Sequence, residues 1–185
     1  MLQLNVLSVG AKISVLIVDG RNNHDWQTTT DALRAGLETT GRFKVVVSSA
    51  PESTIPNGPR APKSVHPRVV AAFEKYSSVY QQLTKPAKDT LGEQWKSWKP
   101  DFKAYDVVIL NYNGQNWPEE SKRAFVEYVK SGGGVLLVHA ANNAFRDWDE
   151  FNAIIGMGWR PSTYGKAWKF DPKTGNSYMD EKAGN

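Results

Sequence analysis

Four short apolar runs, none of them alternating, limit the folds open to this chain more than anything else in its sequence. They are ISVLIVD at residues 13–19, FKVVVSS at 43–49, YDVVILN at 105–111 and GVLLVHA at 134–140. A strand with one wet face alternates apolar and polar residues. A continuous, β-branched run suits a strand buried on both faces, as in a parallel sheet covered by helices. Helical patterns fill the gaps between the runs. TTTDALRAGLETTG puts Leu33 and Leu37 on one face, with Gly41 as its stop. WPEESKRAFVEYVKSGGG places Pro118 at the first helical position, and Glu119 and Glu120 where the helix dipole favours carboxylates. Its buried stripe is Phe125 and Val129, and the glycines from Gly132 end it. DWDEFNAIIGMG spaces Trp148, Phe151, Ile154 and Ile155 for a helix that stops at Gly156. Strand and helix alternating in this way predict an α/β, doubly wound parallel sheet.

One domain over residues 1–185 is expected from the length. Residues 50–91 read as an insertion in the second crossover: a Pro-rich loop, then an amphipathic helix with Val69, Val70, Phe73 and Tyr76 or Ser77 on one side. DTLGEQWKSWKPDF adds a second short helix. Towards the C-terminus, DPKTGN reads as a turn between two short polar-aromatic strands, in a tail at 164–185 expected to be poorly ordered. Nothing after Gly156 resembles another buried parallel strand, so the domain is expected to be incomplete at its C-terminal side.

Composition excludes several classes. Cysteine is absent, which removes disulfides, thiolate metal sites and cysteine nucleophiles. The net charge of +4 is spread without a basic block, so no nucleic-acid partner is expected. No stretch approaches the roughly 18 apolar residues of a membrane span. The N-terminus lacks a positive region before an apolar run, so the cytoplasm is the default location, and export would require an upstream leader.

The functional signal lies where three of the runs end. In open α/β sheets ligands bind outside the carboxyl ends of the strands. The first run leads into DGRNNHDW, the third into NYNGQNWPEE and the fourth into HAANNAFRDW. Each loop holds at least two asparagines and a Trp preceded by Asp or Asn. Asn carries donors and an acceptor without charge, and an indole offers flat apolar area. Asn22, Asn23, Asn113, Asn142 and Asn143 are therefore candidates to bind hydroxyls, and Trp26 and Trp117 to supply apolar faces. Such a site suits a neutral, hydroxyl-rich small molecule such as a sugar. No phosphate-cradling glycine loop follows any strand. A plainer reading stands beside this one: Asp25, Asn116 and Asp147 are helix caps, and the tryptophans pack on the sheet.

His24 and His139 fall in two of these loops. Together they could form an acid/base pair with Asp25 assisting, or two of the three ligands of a divalent metal. No further ligands are recognisable, so no cofactor is expected. The turn after the fourth run, VHAANNAF, has no Cys or Ser where an α/β hydrolase or amidotransferase carries its nucleophile.

ISVLIVDGRNNHDWQTT, FKAYDVVILNYNGQNWPEE and GGGVLLVHAANNAFRDWDEFNAIIGMGWR resemble the ThuA-like, or trehalose-utilisation, family over residues 13–160, the 50–91 segment apart. The resemblance implies a flavodoxin-like fold related to class I glutamine amidotransferases, without their cysteine. It implies a link to trehalose and 3-keto sugars, and many members are exported. The family pattern continues past GMGWR with further strands and a histidine motif, whereas this chain has no His after His139. The expectation is a protein that binds or transforms a disaccharide or 3-keto-sugar derivative. The alternatives are a non-enzymatic sugar-binding module or an inactive fragment of such a domain.

Overall fold

The computed structural model describes residues 11–63, 66–160 and 166–180. Its centre is a parallel sheet of β1 (Ile13–Asp19), β2 (Phe43–Ser49), β3 (Val107–Leu110) and β4 (Gly134–Leu137), in the order β2-β1-β3-β4. This is the flavodoxin-like order, in which the chain reverses its winding between β1 and β3. Helix α1 (Trp26–Thr39) packs Leu33 and Leu37 on one face, against Val15, Ile17, Val45 and Ile109. On the other face lie α2 (Pro67–Ser97), α3 (Glu119–Lys130) and α4 (Asp149–Ile155), around Leu16, Val18, Val108, Leu110, Phe125 and Phe151. β1 sends successive residues to opposite cores, which is why its sequence is apolar without alternation.

The outer strands are less buried than their sequences suggest. Leu136 on β4 is 48% exposed and Val46 on β2 is 38% exposed. α1 covers the β1–β2 half of its face, so among the described residues no helix lies above Leu136 at the far edge. Val46 sits at the opposite corner, away from α3.

Three local expectations are corrected. Residues 67–97 form one helix of 31 residues rather than two, continuing through Pro86. Pro86 donates no hydrogen bond, but Leu91, Trp95 and Trp98 beyond it seat the helix end in the core and keep it in line. The inner stripe of α2 is also displaced. Val70, Phe73 and Ser77 are half-buried, whereas Val69 and Tyr76 are exposed. Third, Pro118 is the N-cap of α3 rather than its first helical residue, and Asn116 and Asp147 cap nothing; Trp148 occupies the cap position of α4. Asp25 does cap α1, accepting from the Thr28 amide at 3.2 Å.

Past α4, β5 (Ala167–Phe170) and β6 (Ser177–Asp180) form a separate antiparallel hairpin. The turn between them contains Gly175 in the left-handed region, at φ 72°. This hairpin lies inside the tail expected to be poorly ordered, whose last residues, 181–185, lie outside the described residues.

Candidate functional site

The carboxyl edge of the sheet is organised by buried polar contacts. Asn111, at the end of β3, accepts from Asn22 Nδ2 at 3.3 Å and donates to Trp26 O and Thr30 Oγ1, both at 3.0 Å. Asn22 Oδ1 in turn accepts from the His24 amide at 3.1 Å. Asn22 is only 4% exposed, so its amide shapes the first loop and is not presented to a ligand. Below it, Asp19 accepts from Ser49 Oγ at 2.6 Å. Burial pushes the Asp19 carboxyl above the usual range, partly offset by hydrogen bonds from Ser49 and Thr30.

Glu52, in the 3₁₀ turn Pro51–Thr54 after β2, ties the loops together. Its Oε2 accepts from Tyr112 Oη at 2.5 Å and from the Gln115 amide at 3.1 Å. Its Oε1 lies 4.0 Å from Arg21 Nε, and Arg21 also donates to Ile55 O at 2.9 Å. Burial and the neighbouring Glu52 charge push the Tyr112 phenol far above its ordinary value. A Cβ on Gly114 would overlap both Glu52 and Tyr112, so only glycine fits the crossing point.

Above this layer is an open cleft of about 950 Å³. Asn23, Asn113, Asn142, Asn143 and His139 line it. Asn113 Nδ2 donates to Asn23 Oδ1 at 3.2 Å, closing the first loop onto the third. Asn143 Oδ1 is buried with no donor among the described residues, which leaves an acceptor in the cleft wall. The imidazoles of His24 and His139 meet with ring centroids 4.5 Å apart, and Asn23 Nδ2 lies 3.4 Å from His24 Nε2. His24 touches the cleft through His139 and is not itself a lining residue.

His139 has φ 43°, a left-handed conformation that a side chain adopts at a cost of about 1–3 kcal/mol. It is the first residue after β4 to adopt it, at the turn where related α/β enzymes hold a nucleophile. The sequence placed Ala140 and Ala141 at that turn, and the structure puts the imidazole there instead. Phe145, in the same turn region, also has a positive φ of 51°.

Other anticipated site residues have different work. Trp117 is 2% exposed and packs against Trp98, Phe102, Phe125, Phe145 and Trp148, so it belongs to the core and offers no face to a ligand. Trp26 is half-buried at the first turn of α1 and does not line the cleft. Asp25 is committed to its cap, and the Thr28 hydroxyl and amide hold its carboxyl below the usual range. Among the described residues no carboxylate hydrogen-bonds either imidazole, and no group of three His, Cys, Asp or Glu that could hold a metal occurs.

The sequence reading missed Gln115, Arg146 and Trp159, which also line the cleft. Trp159 follows α4 in a stretch with no periodicity. It reaches the cleft because Arg160 folds back, donating to Asn142 O at 3.0 Å and to Asn152 Oδ1.

A parallel sheet of this order, with an amide- and imidazole-lined cleft at its carboxyl edge, defines an α/β protein of the flavodoxin-like class with histidine in the turn after its fourth strand. Residues 62–180 match the model of the ThuA family, described as trehalose utilisation, and the chain belongs to that family. The match takes in residues 62–91, which motif spacing alone sets aside as part of an insertion. A ThuA-like protein of solved structure from Parabacteroides merdae is 32% identical, with a TM-score of 0.63; the alignment covers 94% of this chain and 49% of that one. This chain thus spans about half the length of that relative. Comparison with curated proteins gave no match. Among the described residues no helix is long and apolar enough to cross a membrane.

Proposed function

We propose that the cleft binds a disaccharide or a 3-keto-sugar derivative, and that His24 and His139 move a proton on it. The observation that carries this reading is the convergence of the two imidazoles, from separate loops, beside a wall of uncharged amides. The buried acceptor of Asn143 and the strained backbone of His139 support it. Asn23, Asn113, Asn142 and Asn143 take the sugar hydroxyls. The tilted contact, with ring centroids 4.5 Å apart, brings both imidazoles to one side of the cleft. His139→Ala should lower turnover about a hundredfold or more while the fold persists, read by mass spectrometry of products and by circular dichroism. Unchanged turnover would remove His139 from the chemistry.

A second reading, a sugar-binding module without catalysis, is favoured by one specific feature. No carboxylate hydrogen-bonds either imidazole among the described residues, and Asp25, next to His24 in sequence, is occupied as a cap. Calorimetry with trehalose and with its 3-keto derivative, followed by product analysis, separates the two. Binding without product supports the module, and product supports the enzyme.

A further inference from the structure

Removing Trp117 and Trp26 from the binding surface leaves the amide wall without the apolar face that a sugar ring requires, and the structure supplies one elsewhere. We propose that Trp159 is the stacking platform for one ring of the sugar, with Arg146 and Arg160 as its positioning residues; this rests on the carbohydrate reading above. Trp159 is 60% exposed although it lines the cleft, so its indole area is open to a ligand. Among the described residues no aromatic ring packs on this indole, and a side-chain cation, Arg146, faces it.

Its setting is built. The Arg146 guanidinium sits over the indole ring, 5.8 Å from the centroid, a cation–π contact that restrains the ring. Arg160 donates to the Trp159 carbonyl at 2.7 Å and, with the same nitrogen, to Asn142 O, which pins the segment to the turn that carries His139. The platform is therefore tied to the same turn as the histidine pair. The axial C–H groups of a pyranose form a flat apolar patch that matches an indole face, while its hydroxyls point outward towards amides. Arg146 carries an additional consequence. A sugar with a carbonyl or carboxyl oxygen near the platform gains a charge-assisted hydrogen bond that an unoxidised sugar lacks.

The test is calorimetric titration of the full chain with trehalose, maltose and 3-keto-trehalose, for the wild type, Trp159→Ala and Trp159→Phe. Trp159→Ala should bind about tenfold more weakly, and Trp159→Phe should stay within about threefold of the wild type. Near-ultraviolet circular dichroism confirms folding, and an exposed side chain makes its loss tolerable. Arg146→Gln should weaken the keto-sugar more than trehalose. If the wild type binds and Trp159→Ala binds equally well, the platform is overturned while the carbohydrate reading stands. If the wild type binds none of the three sugars, both fall together.

Discussion

At single residues, local geometry separates function from folding. His139 and Gly20 both occupy left-handed backbone, but for different reasons. Gly20, at φ 113°, lets the chain leaving β1 pass the end of β2, and an added Cβ would lie 2.7 Å from both the nitrogen and the oxygen of Ala50. Gly20→Ala should therefore destabilise by roughly 2–4 kcal/mol, combining the conformational cost with a clash against immobile backbone. Denaturant midpoints check this, and a loss below about 1 kcal/mol would contradict it. His139 holds the same kind of conformation with an exposed side chain. His139→Gly should then be more stable than His139→Ala by about 1 kcal/mol, although both lose the imidazole. Asp19 provides a pH signature. Its carboxyl is pushed upward by burial in the folded state, so the folded chain holds that proton more tightly than the unfolded one. The resulting penalty is absent below the unfolded value of 3.8 and grows as pH rises through the folded value. Asp19→Asn should consequently gain in melting temperature relative to the wild type as pH rises above 3.8. A constant difference across that range would show that Asp19 titrates normally.

Among elements, what the sequence disclosed depended on whether a rule is periodic. The runs of β1 and β3 are continuous because helices cover both of their faces, and Phe125 and Phe151 fall at helical spacing because α3 and α4 each bury one stripe. These were legible. Cap positions at α3 and α4 were not, because Asn116 and Asp147 look like caps but the turns place Pro118 and Trp148 at the start instead. The three loops were recognised by composition, yet composition could not divide ligand-facing from buried residues. Trp117 and Asn22 went inward because an indole fills the space between α3 and the sheet, and Asn22 meets the Asn111 amide. Glu52 had no motif at all, although it joins the loops after β1, β2 and β3. Replacing it by Ala strips one partner from the buried Tyr112 hydroxyl, which retains only Gln115 O at 2.9 Å. Glu52→Ala should cost about 1–3 kcal/mol. It should also weaken sugar binding, because the cleft residue Gln115 loses its anchor. Normal affinity with lowered stability would confine Glu52 to folding.

For the molecule as a whole, the sheet and the hairpin are different kinds of structure. The sheet has two cores, with Val15, Ile17, Val18, Val108 and Phe125 almost inaccessible to solvent. Among the described residues the hairpin pairs only with itself, and Trp168, Phe170, Tyr178 and Met179 are 69%, 66%, 52% and 45% exposed. Trp168, Phe170 and Met179 share one face by strand pairing, whereas the opposite face carries the Lys169–Asp180 ion pair at 2.5 Å. A two-stranded hairpin with its apolar face in water adds little to stability, because stabilisation follows the apolar area removed from solvent. The ion pair adds little too, since Lys169 is exposed to water and salt screens it. Ending the chain after Arg160 should therefore leave cooperative unfolding intact, with a melting temperature within a few degrees of the full chain, about the shift expected from 1 kcal/mol or less. The cleft should survive as well, because its last wall residue among the described residues is Trp159 and its clamp is Arg160. Thermal scans by circular dichroism and sugar titration of the shortened chain check both halves. A loss of cooperativity would mean that the hairpin supports the sheet, and a loss of binding alone would mean that it shapes the segment carrying Trp159.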